Sequence, residues 1–261
     1  MHIDRAAIVA ARQSFLGVEF DTIDAEQALA LVQSLARRSE FTYIVTPNAD
    51  HVVRLAEESP DQARFAVSYR AAAKVLCDSR ILAAIAARHD IELPVVTGSD
   101  LTAALFKSGL GADVRIAIIG GTAELVEELR LLYPHPTYLH HAPPMGLLND
   151  DRALDEIVDF VAGAKAHYVL FAVGAPQSEI AAHLCKESGR VAGVGLCIGA
   201  SIEFLTGAKK RAPTWMQRLR LEWLFRLLSE PRRLGGRYLL GAVKLGRLYF
   251  RWRSDLGRSA G

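Results

Sequence analysis

Five short apolar runs, each ending in a polar or glycine-bearing turn, constrain this chain more than any other feature of it. Phe41-Thr42-Tyr43-Ile44-Val45 runs into Thr46-Pro47-Asn48, and Lys74-Val75-Leu76-Cys77 into Asp78-Ser79. Residues 114–119 run into Gly120-Gly121-Thr122, residues 167–173 into Gly174-Ala175-Pro176, and residues 191–197 into Gly199-Ala200-Ser201. The runs are rich in β-branched and aromatic residues and are apolar throughout, the pattern of strands buried on both faces. Helical spacing follows them: Val52, Val53, Leu55 and Ala56 after the first, residues 81–88 after the second, and a segment with Glu124, Glu127 and Glu128 after the third. Strands alternating with helices predict a parallel sheet covered on both sides, a Rossmann-like α/β body. The Pro-rich residues 133–144 read as a connection between such units.

In a parallel sheet the turns at strand carboxyl ends share one edge, with helix N-termini facing them. Asn48 suits an N-cap and also a binding edge, and Thr46 beside it presents a hydroxyl there. Gly120, Gly121, Gly174 and Pro176 fall on the same expected edge. The arrangement suits a nucleotide phosphate. Gly-x-Gly-x-x-Gly is absent after residues 114–119, which counts against a dinucleotide fold.

Charge divides the chain. Residues 1–206 hold 17 Lys and Arg against 26 Asp and Glu, and residues 207–261 hold 14 against 3. We therefore expect an acidic globular body over 1–206 and a basic C-terminal appendage over 207–261 that meets an anionic partner. The appendage interleaves arginine with Trp, Leu and Phe. Arg237, Lys244, Arg247 and Arg251 would align on one side of a helix, with Leu239, Val243, Leu245, Tyr249 and Phe250 opposite. That is the pattern of a helix lying at an anionic membrane surface. Gly235, Gly236, Gly241 and Gly246 lower helix propensity there and predict conditional order. No cleavable signal and no run of 18 apolar residues is read, so neither export nor a membrane span is expected. Cys77, Cys185 and Cys197 lie in or beside apolar runs without metal-ligand spacing, as buried thiols would.

The ordered series Thr46-Pro47-Asn48, Asp78, Gly98-Ser99-Asp100-Leu101, Gly120-Gly121 and Gly174-Ala175-Pro176 with Glu179 resembles the WecG/TagA/CpsF glycosyltransferases. So do Arg211-Ala212-Pro213-x-Trp215, Leu221-Glu222-Trp223-x-x-Arg226-Leu227, Glu230-Pro231-x-Arg233 and Arg237-Tyr238. The resemblance implies an inverting transfer from a UDP-sugar to a polyprenyl-diphosphate-linked sugar, in bacterial cell-surface polysaccharide assembly. It also implies an appendage that completes the active site on the inner face of the cell membrane. A cofactor and a nucleic-acid partner are not expected, and a homo-oligomer is left open. The family's Asp-Gly is Asp78-Ser79 here. Its Gly-x-Pro-Lys-Gln-Glu is Gly174-Ala175-Pro176-Gln177-Ser178-Glu179, and the glycine before its Leu-Glu-Trp is Arg220. These departures bear on the donor sugar.

Such a transfer needs a base for the acceptor hydroxyl and positive charge or donors for the departing diphosphate. Asp78 is the expected base, although Asp also caps helices well. Thr46 joins it as a catalytic candidate and Asn48 would orient hydroxyls. Gln177, Ser178 and Glu179 extend the expected binding edge. No Asp-x-Asp pair exists to hold a metal at the diphosphate. Arg211, Arg226 and Arg233 are the expected counter-charges, since the guanidinium fork fits phosphate. His135, His140 and His141 lack helical metal-ligand spacing and read as polar loop residues. Two alternatives stand beside this reading: a nicotinamide-dependent oxidoreductase, and an adapter without catalysis.

Overall fold

The computed structural model describes residues 11–210, 212, 213, 215, 216, 222–229 and 231–259. Its centre is a six-stranded, wholly parallel sheet of β3 (Thr42–Val45), β4 (Lys74–Val75), β5 (Arg115–Ile119), β6 (Thr137–His141), β7 (Tyr168–Phe171) and β8 (Val194–Cys197), in the order β4-β3-β8-β7-β5-β6. The expected α/β class is what the structure shows. Alternate residues feed opposite cores, as the two-residue period of a strand requires. Tyr43, Val45, Ala117, Ile119, Val169 and Phe171 pack on one side, and Ile44, Ile116, Ile118, Tyr168 and Leu170 on the other.

The helices divide by side. The first side carries α2 (Ala49–Ala56), α3 (Gln62–Ala71), α7 (Asp151–Ala164) and α8 (Gln177–Glu187). The second carries α1 (Ala25–Leu35), α5 (Gly98–Lys107), α6 (Ala123–Leu132) and α9 (Ser201–Thr206). The division follows from right-handed crossovers. The chain moves outward one way from β3 to β4 and the other way from β5 to β6, so the connecting helices fall on opposite faces. A short α4 (Arg80–Ala86) continues as a 3-10 turn over Ala87–His89.

Two pieces of local structure were not read from the sequence. Residues 133–144, taken as a connection, contain the edge strand β6, paired with β5 from Arg115–Thr137 to Ile119–His141. Its proline-flanked, histidine-bearing sequence suits an edge, where one side is unpaired and prolines at the ends cost no ladder bonds. A hairpin of β1 (Arg12–Phe15) and β2 (Val18–Asp21) also precedes the sheet. Buried Asp21 fastens it there: its carboxylate accepts from Val75 N–H at 2.9 Å and Lys74 Nζ at 2.8 Å, and pairs with Arg12 Nε at 3.3 Å.

The C-terminal region forms α10 (Glu222–Ser229) and α11 (Pro231–Ser259). Helix α11 runs unbroken through Gly235, Gly236, Gly241 and Gly246, where conditional order was expected. Tertiary packing offsets the low propensity. Leu245, Leu248, Tyr249 and Trp252 pack on the first-side core, Trp252 meets Phe15 edge-on at 5.1 Å, and Tyr249 Oη lies 3.0 Å from His89 Nε2. The apolar side expected to be continuous is thus two separate stripes. Leu245 and Tyr249 face the body, whereas Leu239, Val243 and Phe250 are exposed on the far side. Lys244 pairs with Glu57 at 2.6 Å. None of the described helices is long and apolar enough to cross a membrane.

Replacing Asp21 with Ala strands the Lys74 ammonium and the Val75 N–H beside the sheet edge. Urea unfolding should show a loss of about 3 kcal/mol, the scale for one missing partner of a buried ion pair. A loss below about 0.5 kcal/mol would mean that the hairpin contributes nothing to holding the sheet edge.

Candidate active site

Adjacent strands β3 and β8 send their following helices, α2 and α9, to opposite faces of the sheet. A crevice at the strand carboxyl ends is the consequence. Thr46 stands at it. Its hydroxyl donates to the Cys197 carbonyl at 3.4 Å, joining the ends of the two strands. Gly98, the first residue of α5, presses against the same place. A methyl group there would lie 2.9 Å from Thr46 Oγ1 and 3.6 Å from Ser201 Oγ, so a larger residue would push the helix end away.

Asp78 reaches this helix end from the neighbouring strand. Its N–H donates to the Pro47 carbonyl at 3.0 Å, which locks the turn after β4 to the turn after β3. Its Oδ2 accepts the Gly98 N–H at 3.0 Å, placing a carboxylate at the positive end of α5. Capping of α4 is done by the next residue, Ser79, whose hydroxyl accepts from Leu82 N–H at 3.2 Å. The serine that departs from Asp-Gly therefore takes the structural duty. The Asp78 carboxylate meets the N-terminus of α5 instead.

Asn48 caps α2, accepting from Asp50 N–H at 2.9 Å and His51 N–H at 3.4 Å. His51 Nδ1 lies 2.8 Å from the same Asn48 oxygen, and His51 Nε2 lies 3.6 Å from Glu179 Oε1. Burial pushes the His51 imidazole down to about 4, with Asp50 opposing, and pushes the Glu179 carboxyl up to about 8. Neither His51 nor Gly98 was singled out by sequence reasoning for what it does here. The signal for His51 was its place three residues after an N-cap asparagine, the capping-box position.

The glycine turns lie further along the edge. Gly120, at φ +93°, admits no side chain: a methyl would stand 2.7 Å from Val173 Cγ1 and 3.0 Å from the Ala172 carbonyl. Gly121 and Gly174 also take positive φ, and the Gly174 carbonyl accepts from Ser178 N–H at 2.8 Å. Four strand spacings separate β4 from β5 in the sheet order, roughly 19 Å. Pro176 and Gln177 line a groove of about 530 Å³ next to the crevice, together with Arg54 of α2, Asn149, and Leu240 and Lys244 of α11. Arg54 donates to the Ala175 carbonyl at 3.2 Å and pairs with Asp50 at 3.0 Å. Ser178 and Glu179 differ from these in being buried. Ser178 Oγ donates to the Phe171 carbonyl at 3.2 Å, a bond inside the fold.

The appendage is tied to the Asp78 turn. Arg80, two residues beyond it, pairs with Glu222 at the start of α10 at 3.3 Å. Arg226 lies one turn later in α10 and Arg233 near the start of α11; the placement of their side chains, and all of Arg211, lie outside the described residues. Among the described residues no group of three or more His, Cys, Asp or Glu is placed to hold a metal ion. His140 and His141 belong to β6 and are not loop residues: His140 Nε2 lies 3.1 Å from the Gly120 carbonyl, and His141 stacks on Phe160 at 5.2 Å. All three cysteines are free and buried, and burial pushes the Cys77 and Cys185 thiols up to about 12.

The chain is similar to an N-acetylglucosaminyldiphosphoundecaprenol N-acetyl-beta-D-mannosaminyltransferase of Staphylococcus aureus strain MW2. It is 25% identical over 241 residues, covering 86% of this chain and 87% of the relative. The corresponding enzymes of strains NCTC 8325 / PS 47 and MRSA252 match at the same identity and the same coverage. Residues 13–259, nearly the whole chain and both the sheet and the appendage, match one family of enzymes. With that match, and with the parallel sheet and the crevice residues in the order the motifs require, the chain belongs to the WecG/TagA/CpsF family of glycosyl transferases.

Proposed function

We propose that this enzyme transfers a sugar, with inversion, from a UDP-sugar to a sugar carried on a polyprenyl diphosphate. The relatives' name specifies an N-acetylmannosaminyl group and a diphosphoundecaprenol-linked N-acetylglucosamine, which makes an amino sugar and a lipid-linked acceptor the first substrates to try. The observation that carries the reading is the Asp78 carboxylate held beside the β3–β8 crevice by Gly98 N–H at the start of α5, with the capping of α4 left to Ser79. In the step, the acceptor oxygen forms a bond to the anomeric carbon on the face opposite the leaving group. Asp78 takes the hydroxyl proton, and the bond to the diphosphate breaks with its electron pair going to the phosphate oxygen. Thr46 and Asn48 orient sugar hydroxyls beside it. A ligand reaching from Asp78 to the glycine turns at Gly120-Gly121 and Gly174 must be extended along the sheet edge, as a nucleotide diphosphate sugar is.

Developing charge on the diphosphate falls to Arg211, Arg226 and Arg233 in this reading, with Arg80 holding α10 over the Asp78 turn through Glu222. The appendage also meets the membrane. Leu239, Val243 and Phe250 form an exposed apolar stripe on α11, with exposed Arg247, Arg251 and Arg253 in the same helix. Apolar insertion flanked by cations suits an anionic surface, each cation contributing about 1 kcal/mol. The protein then works as a peripheral enzyme on the inner face of the cell membrane, where a lipid-linked acceptor is presented.

Asp78→Asn should lower turnover at least about a hundredfold with donor affinity little changed, because the base acts on the acceptor. Steady-state transfer and UDP titration on the folded variant check this, and near-normal turnover would remove Asp78 from the role. Transfer should persist in EDTA on dialysed enzyme. Complete loss restored by Mg²⁺ or Mn²⁺ would transfer the leaving-group role from arginine to a metal. Converting both Val243 and Phe250 to Glu should abolish co-sedimentation with anionic vesicles at physiological salt, while UDP binding is kept. Unaltered sedimentation would show that the exposed stripe is not the membrane contact.

A further inference from the structure

The groove beside the crevice has a lining suited to one class of ligand. Its volume of about 530 Å³ lies within the roughly 300–1,000 Å³ of small-molecule sites. Asp50, Glu57 and Asp61 bring three carboxylates to it, against the two cations Arg54 and Lys244. Both cations already have partners. Arg54 pairs with Asp50 at 3.0 Å and donates to the Ala175 carbonyl at 3.2 Å, and Lys244 pairs with Glu57 at 2.6 Å. A diphosphate in this groove would meet an excess of carboxylates and, among the described lining residues, no unpaired cation. Groups for uncharged hydroxyls are plentiful instead. Asp61 holds the N-cap position of α3 but does not cap it, which leaves its carboxylate to the groove. Gln62 donates to the Leu55 carbonyl at 2.9 Å and keeps its amide oxygen as an acceptor. Asn149 and Gln177 add carboxamides, which both donate and accept. Val53, Leu148 and Leu240 supply apolar surface for the C–H faces of a sugar ring.

The groove also joins two parts of the molecule that sugar transfer has to connect. Asp50, in its lining, donates its N–H to the Asn48 side chain at 2.9 Å, and Pro47 next to Asn48 accepts from Asp78 N–H at 3.0 Å. A continuous set of contacts thus runs from the groove to the turn that carries Asp78. The facing wall is α11, through Leu240, Gly241 and Lys244. Leu240 is itself exposed, and it adjoins exposed Leu239 of the outer apolar stripe. We propose that this groove is a carbohydrate subsite that holds the sugar of the lipid-linked acceptor, with the diphosphate and its chain leaving past Leu240 toward the stripe. The identity of that sugar as the acceptor rests on the sugar-transfer reading. The preference for an uncharged, hydroxyl-bearing ligand rests on the lining alone. Selection of the acceptor then belongs to α2, the start of α3 and α11, and not to the glycine turns further along the sheet edge.

Gly241 allows the groove to be filled without disturbing the fold. A methyl group at this position would meet no atom within 4 Å, so a side chain there has open space on a residue that lines the groove. Gly241→Leu takes volume from the groove while α11 gains helix propensity, because glycine is the poorer helix former. Asp61→Ala removes the carboxylate that α3 does not use, and Asp61→Asn keeps an acceptor oxygen in its place.

The test uses the full chain with two probes suggested by the relatives' name: N-acetylglucosamine on a short polyprenyl diphosphate as acceptor, and the methyl glycoside of N-acetylglucosamine as a free sugar. In transfer assays, Gly241→Leu should raise the acceptor KM at least about tenfold, with kcat and the donor KM little changed, as loss of ground-state acceptor binding requires. Asp61→Ala should raise the acceptor KM about tenfold, the scale for a hydrogen bond to a charged group, and Asp61→Asn should recover part of the loss. Saturation-transfer NMR should detect the methyl glycoside on the unsubstituted protein, with UDP present or absent, and should lose it in Gly241→Leu. An acceptor KM unchanged in both Gly241→Leu and Asp61→Ala overturns the proposal. A raised donor KM or weakened UDP titration in Gly241→Leu, with the acceptor KM unaltered, overturns it in favour of a donor site. An acceptor KM that follows prenyl length and ignores removal of the sugar's N-acetyl group overturns it in favour of a site for the chain. Failure of transfer with every donor rejects the sugar-transfer reading instead. The glycoside signal and its loss in Gly241→Leu then decide the groove by themselves.

Discussion

Parallel pairing makes every strand of this sheet return through a crossover, and right-handed crossovers assign each connecting helix to a face. From β3 the chain moves outward to β4, and from β5 outward to the opposite edge at β6, with β7 and β8 filling the gap between. Neighbouring strands β3 and β8 consequently release their helices in opposite directions. The crevice they leave is the one place on the carboxyl edge where Thr46, Asp78 and the N-terminus of α5 converge. The crevice exists because of the order of the strands.

Those turns are held by a small set of specific contacts. Asp78 N–H to Pro47 O joins two turns, Thr46 Oγ1 to Cys197 O joins two strand ends, and Gly98 gives α5 room to close on both. Ser79 takes the cap of α4, and Asp78 beside it meets the N-terminus of α5. Behind the crevice, part-buried Asn48 caps α2 and exchanges contacts with His51, whose Nε2 lies 3.6 Å from buried Glu179 Oε1.

The appendage has a double surface for a comparable reason. A helix of 29 residues with apolar positions on more than one side can bury one stripe and present another. Leu245, Leu248, Tyr249 and Trp252 secure α11 to the body, while Leu239, Val243 and Phe250 remain outside. Docking also sets the outer stripe relative to the crevice, because the Lys244–Glu57 pair and Leu240 belong to the groove that adjoins Gln177.

The alternation of apolar runs and turns by itself determined the fold class, five of the six sheet strands and the edge on which polar turns gather, because burial imposes continuous apolarity and helices impose their own period. The ordered motifs identified the family. Edge strand β6 escaped notice because an edge is half exposed and tolerates the prolines and histidines that argue against an inner strand. Which residue after β4 caps α4 and which reaches α5 was equally hidden, since Asp and Ser are both good N-caps and only the arrival of Gly98, twenty positions away, separates them. The two apolar stripes of α11 could not be told apart along the chain; the body covers one of them and not the other. Ser178 and Glu179 stand beside Gln177 in sequence, yet a helix turns successive residues by about 100°. Gln177 therefore lines the groove, while its two neighbours are buried against the sheet, where only tertiary packing could put them.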